Sequence, residues 1–496
     1  MSRLRAMFAG VPVAARWSFG IALVNAIVWG LIVPPFHVPD EQGHFAYTQY
    51  LAETGKPPPQ QGGSAYSPQE IVALRDLHFY STIGDPNQRG VITPAENSTL
   101  KADLAKPLSP LSDGAATSTT NQPPLYYALA AIPYWLSPSH DVLSRLALMR
   151  LLSALLAAGT VVAVFLFLRE LLPRLPWAWT VGALMVAFQP QVNFIAAGVQ
   201  GDNLLFFAST LAFLILTRAY RRGLTPRRAV AIGAIVAIGL LSKLTFLALV
   251  PGIALAVALL GWRERHTGWR RATLMVVLAA VIAFVPLGLY GLLNLTVWHR
   301  GSFFAGGTAG ATLTTLPNGG GAVTLRETLD YIWQQYLPRL PFMHRNFFPG
   351  GNTLIHVWLN GLVGRFGWLD YGFPGWVYTL AEWLLVPFLI LAAFALAQAR
   401  EAVRRVLPLF ICFGVMTLGL LVAIGYAGVR YQLSTGFQFA QARYLFPLIA
   451  LYALFGVTVA RGAGRRWAPV LGAGLVLLAM AHGLFAETLT ISRYYG

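Results

Sequence analysis

Asp40 and Glu41 stand side by side in Val-Pro-Asp-Glu (Val38 to Glu41), five residues after an apolar stretch long enough to cross a membrane. Of two adjacent carboxylates, one holds its proton more tightly than a lone acid does, which suits a general base. Solvated loop acids are the competing reading. Position weighs against it, because ionisable groups at a membrane boundary are costly to place and concentrate where chemistry is done. His44 lies four residues beyond Asp40 and three beyond Glu41, hence on their face if the segment is helical. It would orient a carboxylate or, with both acids, hold a divalent cation. Glu-x-x-His by itself is a thin metal signature, so orientation is the expectation, and no metal or other cofactor is expected.

Asp202, in Val-Gln-Gly-Asp-Asn (Val199 to Asn203), is the only acid between Glu170 and Glu264. It serves either as a second functional acid or as a helix N-cap satisfying free backbone amides. Three cations lie in or beside apolar runs: Lys243 in Leu-Ser-Lys-Leu-Thr, Arg443 in Gln-Ala-Arg-Tyr-Leu-Phe-Pro, and Arg345 in His-Arg-Asn-Phe-Phe. Each is either a snorkelling anchor or a contact for an anion. Arg offers a bidentate fork to phosphate and Lys a point charge, and a lipid phosphate is the natural anion at headgroup level.

The elements that must position these residues follow from composition. Of 496 residues, 56% are hydrophobic and only 11% charged, the balance of a polytopic membrane protein. Apolar stretches of about 17 to 25 residues mark spans. They fall at 17–35, 143–168, 177–197, 203–217, 228–242, 244–260, 272–293, 376–397, 406–425, 444–460 and 467–487, of which 203–217 and 228–242 are short. This predicts an all-α integral membrane bundle of about 11 transmembrane helices.

Lys and Arg gather in cytoplasmic loops, whereas acids are nearly indifferent. With the N-terminus inside, the short inner segments hold 20 of the 36 basic residues, among them Arg3, Arg5, Arg221, Arg222, Arg270 and Arg271. Only Glu170, Glu264 and Glu401 of the 19 acids share that side, so the net charge of +17 reflects topology. Basic residues confined to short loops between spans exclude nucleic acid as a partner. The first span starts like a secretory signal, but Pro34-Pro35 stands where a small-residue cleavage site would be, so it reads as a retained anchor. Cys412, the single cysteine, allows no disulfide framework.

Five segments result: an inner N-terminus with the first span (1–35), a long outer loop carrying the acid pair (36–142), spans two to seven (143–293), a second outer loop (294–375) and the last four spans (376–496). In the first loop, Asn121 to Leu136 is apolar and aromatic. Counting it as a span would invert the arginine bias, so it is expected to lie along the outer membrane face. The second loop has a Gly-rich tract (Gly306 to Gly321) before an aromatic and basic stretch; Trp358, Trp368 and Tyr371 either stack on sugar rings or join an interfacial belt. No internal repeat suggests the paired halves of a transporter.

The order of Pro-Asp-Glu-x-x-His, Asn-Gln-Pro-Pro-Leu-Tyr-Tyr, Gly-Asp-Asn, Phe-Gly-Trp-Leu-Asp (Phe366 to Asp370) and Ala-Arg-Tyr-Leu-Phe-Pro resembles a bacterial family of multispanning membrane proteins. That family is grouped with the GT-C glycosyltransferases, which include protein O-mannosyltransferases and the lipid A aminoarabinose transferase. The resemblance runs through most of the chain. It implies an enzyme of the plasma membrane that takes a sugar from a polyprenyl-phosphate carrier at the outer face and passes it to a hydroxyl of a glycan, lipid or protein. By motif, Asp40 would be the base, Glu41 its neighbour and Asp202 the second acid, with Gln122 and Tyr126 lining the cavity. Two departures stand out: Gln122 occupies a place where relatives often have His or Lys, and Ala442 one where they commonly have Gly. A lipid-linked oligosaccharide flippase would use the same cations but should show repeats and broken helices. A polysaccharide polymerase should show outer-loop arginines outweighing the acid pair.

Overall fold

The computed structural model describes residues 12–59, 62–301, 303–304, 324–351, 353–438 and 440–496. Arg3, Arg5 and the Gly-rich tract 306–321 lie outside the described residues. The protein is an all-α membrane bundle, and nine of its described helices are long and apolar enough to cross a membrane.

In chain order these begin with α1 (Val13–Ile32), after which a run of short helices builds the first long loop: α2 (Glu41–Thr54), α3 (Pro68–Asp76), α4 (Phe79–Gly84), α5 (Pro94–Leu104) and α6 (Leu125–Trp135). Spans resume with α7 (Val142–Leu171). The expected span 177–197 is instead two helices, α8 (Pro176–Ala187) and α9 (Pro190–Ala196), separated by a break at Pro190. Proline lacks the amide and clashes with the preceding turn. The short expected span 203–217 is the middle of a 21-residue helix, α10 (Asp202–Arg222), whereas 228–242 sits in the 17-residue α11 (Pro226–Ser242). Next come a 3-10 turn at Leu244–Leu249, α12 (Val250–Glu264) and α13 (Trp269–Thr296).

The second loop holds α14 (Leu325–Tyr336), α15 (Asn360–Gly364) and a two-residue hairpin, β1 (Arg365–Phe366) with β2 (Tyr371–Gly372), paired Arg365 to Gly372. The chain closes with α16 (Gly375–Gln398), α17 (Arg400–Thr435), a 3-10 turn at Ala442–Leu448, α18 (Ile449–Gly462) and α19 (Gly464–Tyr495). Helix α6, at 11 residues, is too short to span. It buries Tyr126, Tyr127 and Tyr134 and exposes Ile132, Trp135 and Leu136.

Both long loops and the C-terminus meet on one face of the bundle. Arg493, near the end of α19, donates to the Asp370 carboxylate at 3.0 Å and to the Thr82 and Gln88 carbonyls, tying the hairpin turn of the second loop to the first. The opposite face carries the short arginine-rich turns, where Glu170 of α7 accepts from Arg218 and Arg222 of α10.

Two close approaches bring the loops onto the bundle. A Cβ on Gly198 would come within 2.5 Å of the Val38 side chain, so only glycine lets the loop after α9 lie against Val-Pro-Asp-Glu. A Cβ on Gly361 would meet that of Ala442 at 2.8 Å. The side chain gained at Ala442 is thus accommodated by a missing one opposite.

Because Arg493 and Asp370 are both largely buried, Arg493→Ala leaves a carboxylate without its partner. A loss of about 3–5 kcal/mol is expected for breaking one side of such a pair, read as a clear fall in the melting temperature of the detergent-solubilised protein.

Candidate active site

Asp40 caps α2 with a left-handed backbone, φ 65°. Among residues with a side chain, Asp and Asn are those that tolerate this region most readily. The turn sends the two adjacent carboxylates in opposite directions. Glu41 points inward and is fully buried (0% exposed), whereas the Asp40 side chain remains 26% exposed.

Glu41 is held by Arg150 of α7 through two parallel hydrogen bonds, Nε to Oε1 at 2.8 Å and Nη2 to Oε2 at 2.7 Å, and it accepts the Val199 amide at 3.0 Å. The remaining Arg150 hydrogens go to the carbonyls of Gly30, Val33 and Pro34, at and beyond the end of α1. Every oxygen and proton of this pair is engaged within the protein, so Glu41 positions its neighbour and is not available to a substrate. Its placement beside Asp40 as a working acid is corrected accordingly.

Asp40 Oδ2 accepts from Arg443 Nη2 at 2.9 Å and Oδ1 from Ser118 at 3.2 Å. Asp202, at the start of α10, forms a second pair with Lys243 at 2.6 Å. Both cations stand at the head of a 3-10 turn entering a span. That placement opposes the helix dipole and makes a nearby acid necessary. Asp202 therefore partners a cation; the N-cap position is held by Gly201, and Asp202 is the first residue of the helix.

His44 is buried between the two pairs and its Nδ1 bonds to the Tyr127 hydroxyl at 2.9 Å. It does not bond to Asp40. Burial pushes its imidazole down to about 3, with Lys243 adding to the effect, and burial also pushes His37 down to about 4. For Asp40, burial works to raise the carboxyl, but the Arg443 charge and hydrogen bond, with Lys243 beyond, outweigh it and hold it below the usual carboxylate range. Asp40 is therefore ionised and His44 neutral near neutral pH. Among the described residues, no three His, Cys, Asp or Glu side chains converge as metal ligands; Asp40, Glu41 and His44 face different ways.

Arg443 is 8% exposed, yet its Nε and Nη1 have no hydrogen-bond partner among the described residues. It lines a cavity of about 290 Å³ together with Pro39, Gln191, His356, Arg365 and Gln441. Ala442 lines both this cavity and an apolar groove of about 430 Å³ walled by Leu354, Trp358, Leu362, Phe446 and Tyr452.

The remaining expectations divide. Neither Gln122 nor Tyr126 lines the cavity. Tyr126 lies behind the acid pair, its hydroxyl accepting the Gln200 amide at 2.7 Å and bonding to Ser153 at 3.0 Å, and Gln122 bonds through its carbonyl to Tyr47. Arg345 is exposed, paired at 4.0 Å with Glu327 and not brought to the cluster. Trp358 is buried and donates to the Gln335 carbonyl. Arg150 and Ser118 were missed. Arg150, a charge inside an apolar run, carried the signal that a buried partner must exist; Ser118, in a polar loop, carried none.

The chain belongs to the predicted membrane protein family DUF2142, whose family profile matches residues 23–452. No curated protein matches it. Among solved structures it is similar to the oligosaccharyltransferase AglB from Archaeoglobus fulgidus in complex with an inhibitory peptide and a dolichol-phosphate (TM-score 0.47, 14% identity, 97% of this chain and 56% of that one). It is also similar to ArnT from Cupriavidus metallidurans bound to undecaprenyl phosphate (0.42, 15%, 97% and 78%) and to the arabinosyltransferase EmbB from Mycobacterium smegmatis (0.38, 11%, 99% and 42%). The chain thus spans just over half the length of the oligosaccharyltransferase.

Two expectations follow from the geometry. Glu41→Ala should destabilise the protein by about 3–5 kcal/mol, because Arg150 is left buried and unpaired, whereas Asp40→Asn, which keeps the left-handed turn and an oxygen for Arg443 at a site that is 26% exposed, should cost less. Acidification should also lower stability. Below about pH 6.5 the unfolded chain takes up protons on His37 and His44 that the folded protein does not accept until their depressed values are reached, so the melting temperature should fall from there toward pH 4. His37→Gln should flatten that slope.

Proposed function

We propose that this membrane protein is a glycosyltransferase that moves a sugar from a polyprenyl-phosphate carrier to an acceptor hydroxyl at the outer face of the membrane, with Asp40 as general base. The observation that carries this reading is the meeting of three environments at one place. An ionised, partly exposed carboxylate (Asp40) touches an arginine with unpartnered donors (Arg443), which lines a cavity bordering an apolar groove at Ala442. A prenyl chain suits the groove, its phosphate the arginine, and an acceptor hydroxyl the carboxylate. The arginine bias of the short loops supports an outer location for the face that carries the site.

The pairs have a chemical consequence. Arg443 holds Asp40 ionised in the resting site. A phosphate arriving on the free Arg443 donors offsets that positive field, so Asp40 becomes more basic as the donor binds. Proton acceptance is thereby linked to donor occupancy. The Lys243–Asp202 pair and neutral His44 lie close behind Asp40, and Glu41 fixes the turn that aims it. The acceptor is a hydroxyl of a glycan, lipid or protein, and membrane lipid surrounds the groove.

The experiment is sugar transfer from labelled polyprenyl-phosphate donors to envelope acceptors in membranes, at matched expression. Asp40→Asn should reduce transfer about 10²- to 10⁴-fold, the usual contribution of a general base. Undiminished transfer in the variant would remove Asp40 from the mechanism, and a wild type active with no donor would sink the reading altogether.

A further inference from the structure

The hairpin motif Phe366 to Asp370 places Gly367 and Leu369 on the cavity wall, beside Arg365 from the strand that leads into it. The position of Arg365 is determined from three sides. Strand β1 pairs Arg365 with Gly372 of β2. The side chain of Gln191, from α9, donates to the Arg365 carbonyl, and Gln189 donates to that of Leu362 at 2.7 Å. At the hairpin turn, Asp370 accepts the Trp368 amide at 2.8 Å and is itself held by Arg493. Leu369 takes a left-handed backbone there, φ 70°, which a leucine adopts only when its surroundings impose it.

These contacts hold the Arg365 backbone; its side chain is exposed, lies 5.8 Å from the Tyr378 ring and makes no ion pair. Every one of the 19 acids lies within the described residues, and none comes within 4.0 Å of it. The other arginine of the cavity lining, Arg443, is paired with Asp40 through one nitrogen. Arg365 therefore supplies the surplus positive charge of a cavity whose second arginine has two buried, unpartnered donors. A cavity with one uncompensated cation and free guanidinium donors is built for an anion.

We infer that Arg365 is a second phosphate-binding residue, clamping the carrier phosphate against Arg443 and stabilising the charge that develops on it as the sugar departs. This rests on reading the cavity as the carrier's phosphate site. In the transfer, the bond between the anomeric carbon and the phosphate oxygen breaks with its electron pair left on that oxygen. A new bond forms from the anomeric carbon to the acceptor oxygen, and the acceptor proton passes to Asp40. The phosphate goes from one negative charge to two while Asp40 loses its own. Arg443 is thus released from its carboxylate as the leaving group comes to need a second cation, and Arg365 meets the charge already present on the donor. The fold of the hairpin, with the Arg493–Asp370 contact behind it, delivers that charge to the cavity wall.

The test separates binding from transfer. Full-length protein in nanodiscs is titrated with undecaprenyl phosphate and with undecaprenol, which lacks the phosphate, for wild type, Arg365→Gln and Arg365→Lys. Arg365→Gln should weaken undecaprenyl phosphate binding roughly tenfold, as expected for losing one charge-assisted contact, and leave undecaprenol binding unchanged. Arg365→Lys should recover most of the loss and melt like wild type, which guards against a folding defect in the glutamine variant. Equal phosphate affinity in wild type and Arg365→Gln would overturn the inference, as would equal loss with both ligands. A wild type that binds undecaprenyl phosphate in an Arg365-dependent way yet transfers no sugar would sink the proposed activity and leave the phosphate site standing.

Discussion

A carboxylate buried in a membrane protein needs all of its water replaced by protein partners, and the Glu41–Arg150 pair does so completely. Its reach exceeds that of an ion pair. Arg150 belongs to α7, its free hydrogens close the open carbonyls around the end of α1, and Glu41 begins α2 and receives the amide of Val199 from the loop before α10. Four segments far apart in the chain are thereby fixed about one guanidinium. An arginine with its five donors in a rigid plane can do this where lysine could not.

The rest of the site depends on that anchor through a single residue step. With Glu41 committed inward, the left-handed turn at Asp40 sends the adjacent carboxylate to Arg443, which lines the cavity. Adjacent acids, which on paper repel each other into different protonation states, are instead separated in role by direction: one is structural and fully paired, the other partly exposed and within reach of ligands. The cations follow the same economy. Arg443 and Lys243 each head a 3-10 turn leading into a span, against the dipole, and each is made tolerable by one acid from another part of the chain.

Much of this was legible beforehand. Asp40, Asp202, Lys243 and Arg443 were each conspicuous as charges beside apolar runs, where the membrane leaves few innocent explanations, and they are found in two pairs. Arg345 was chosen on the same logic. It lies on the surface with Glu327, because a residue in a long loop between spans carries no periodicity or apolar context to say which way it faces. Tyr126 and Gln122 were assigned by motif order, and motif order does not distinguish the wall of a cavity from the layer supporting it.

By itself the sequence determined the solvent and where most of the spans lie, since a bilayer imposes length and polarity on every segment independently. It also marked the segments where charge was out of place. Only the tertiary structure decided which cation meets which acid, that Glu41 and Asp40 part company, that Pro190 breaks one span in two, and that a hairpin in the second loop sets Arg365 on the cavity wall. Those outcomes depend on contacts between residues dozens to hundreds of positions apart. Burial and pairing arise from the joint packing of all the helices, so no local pattern could encode them.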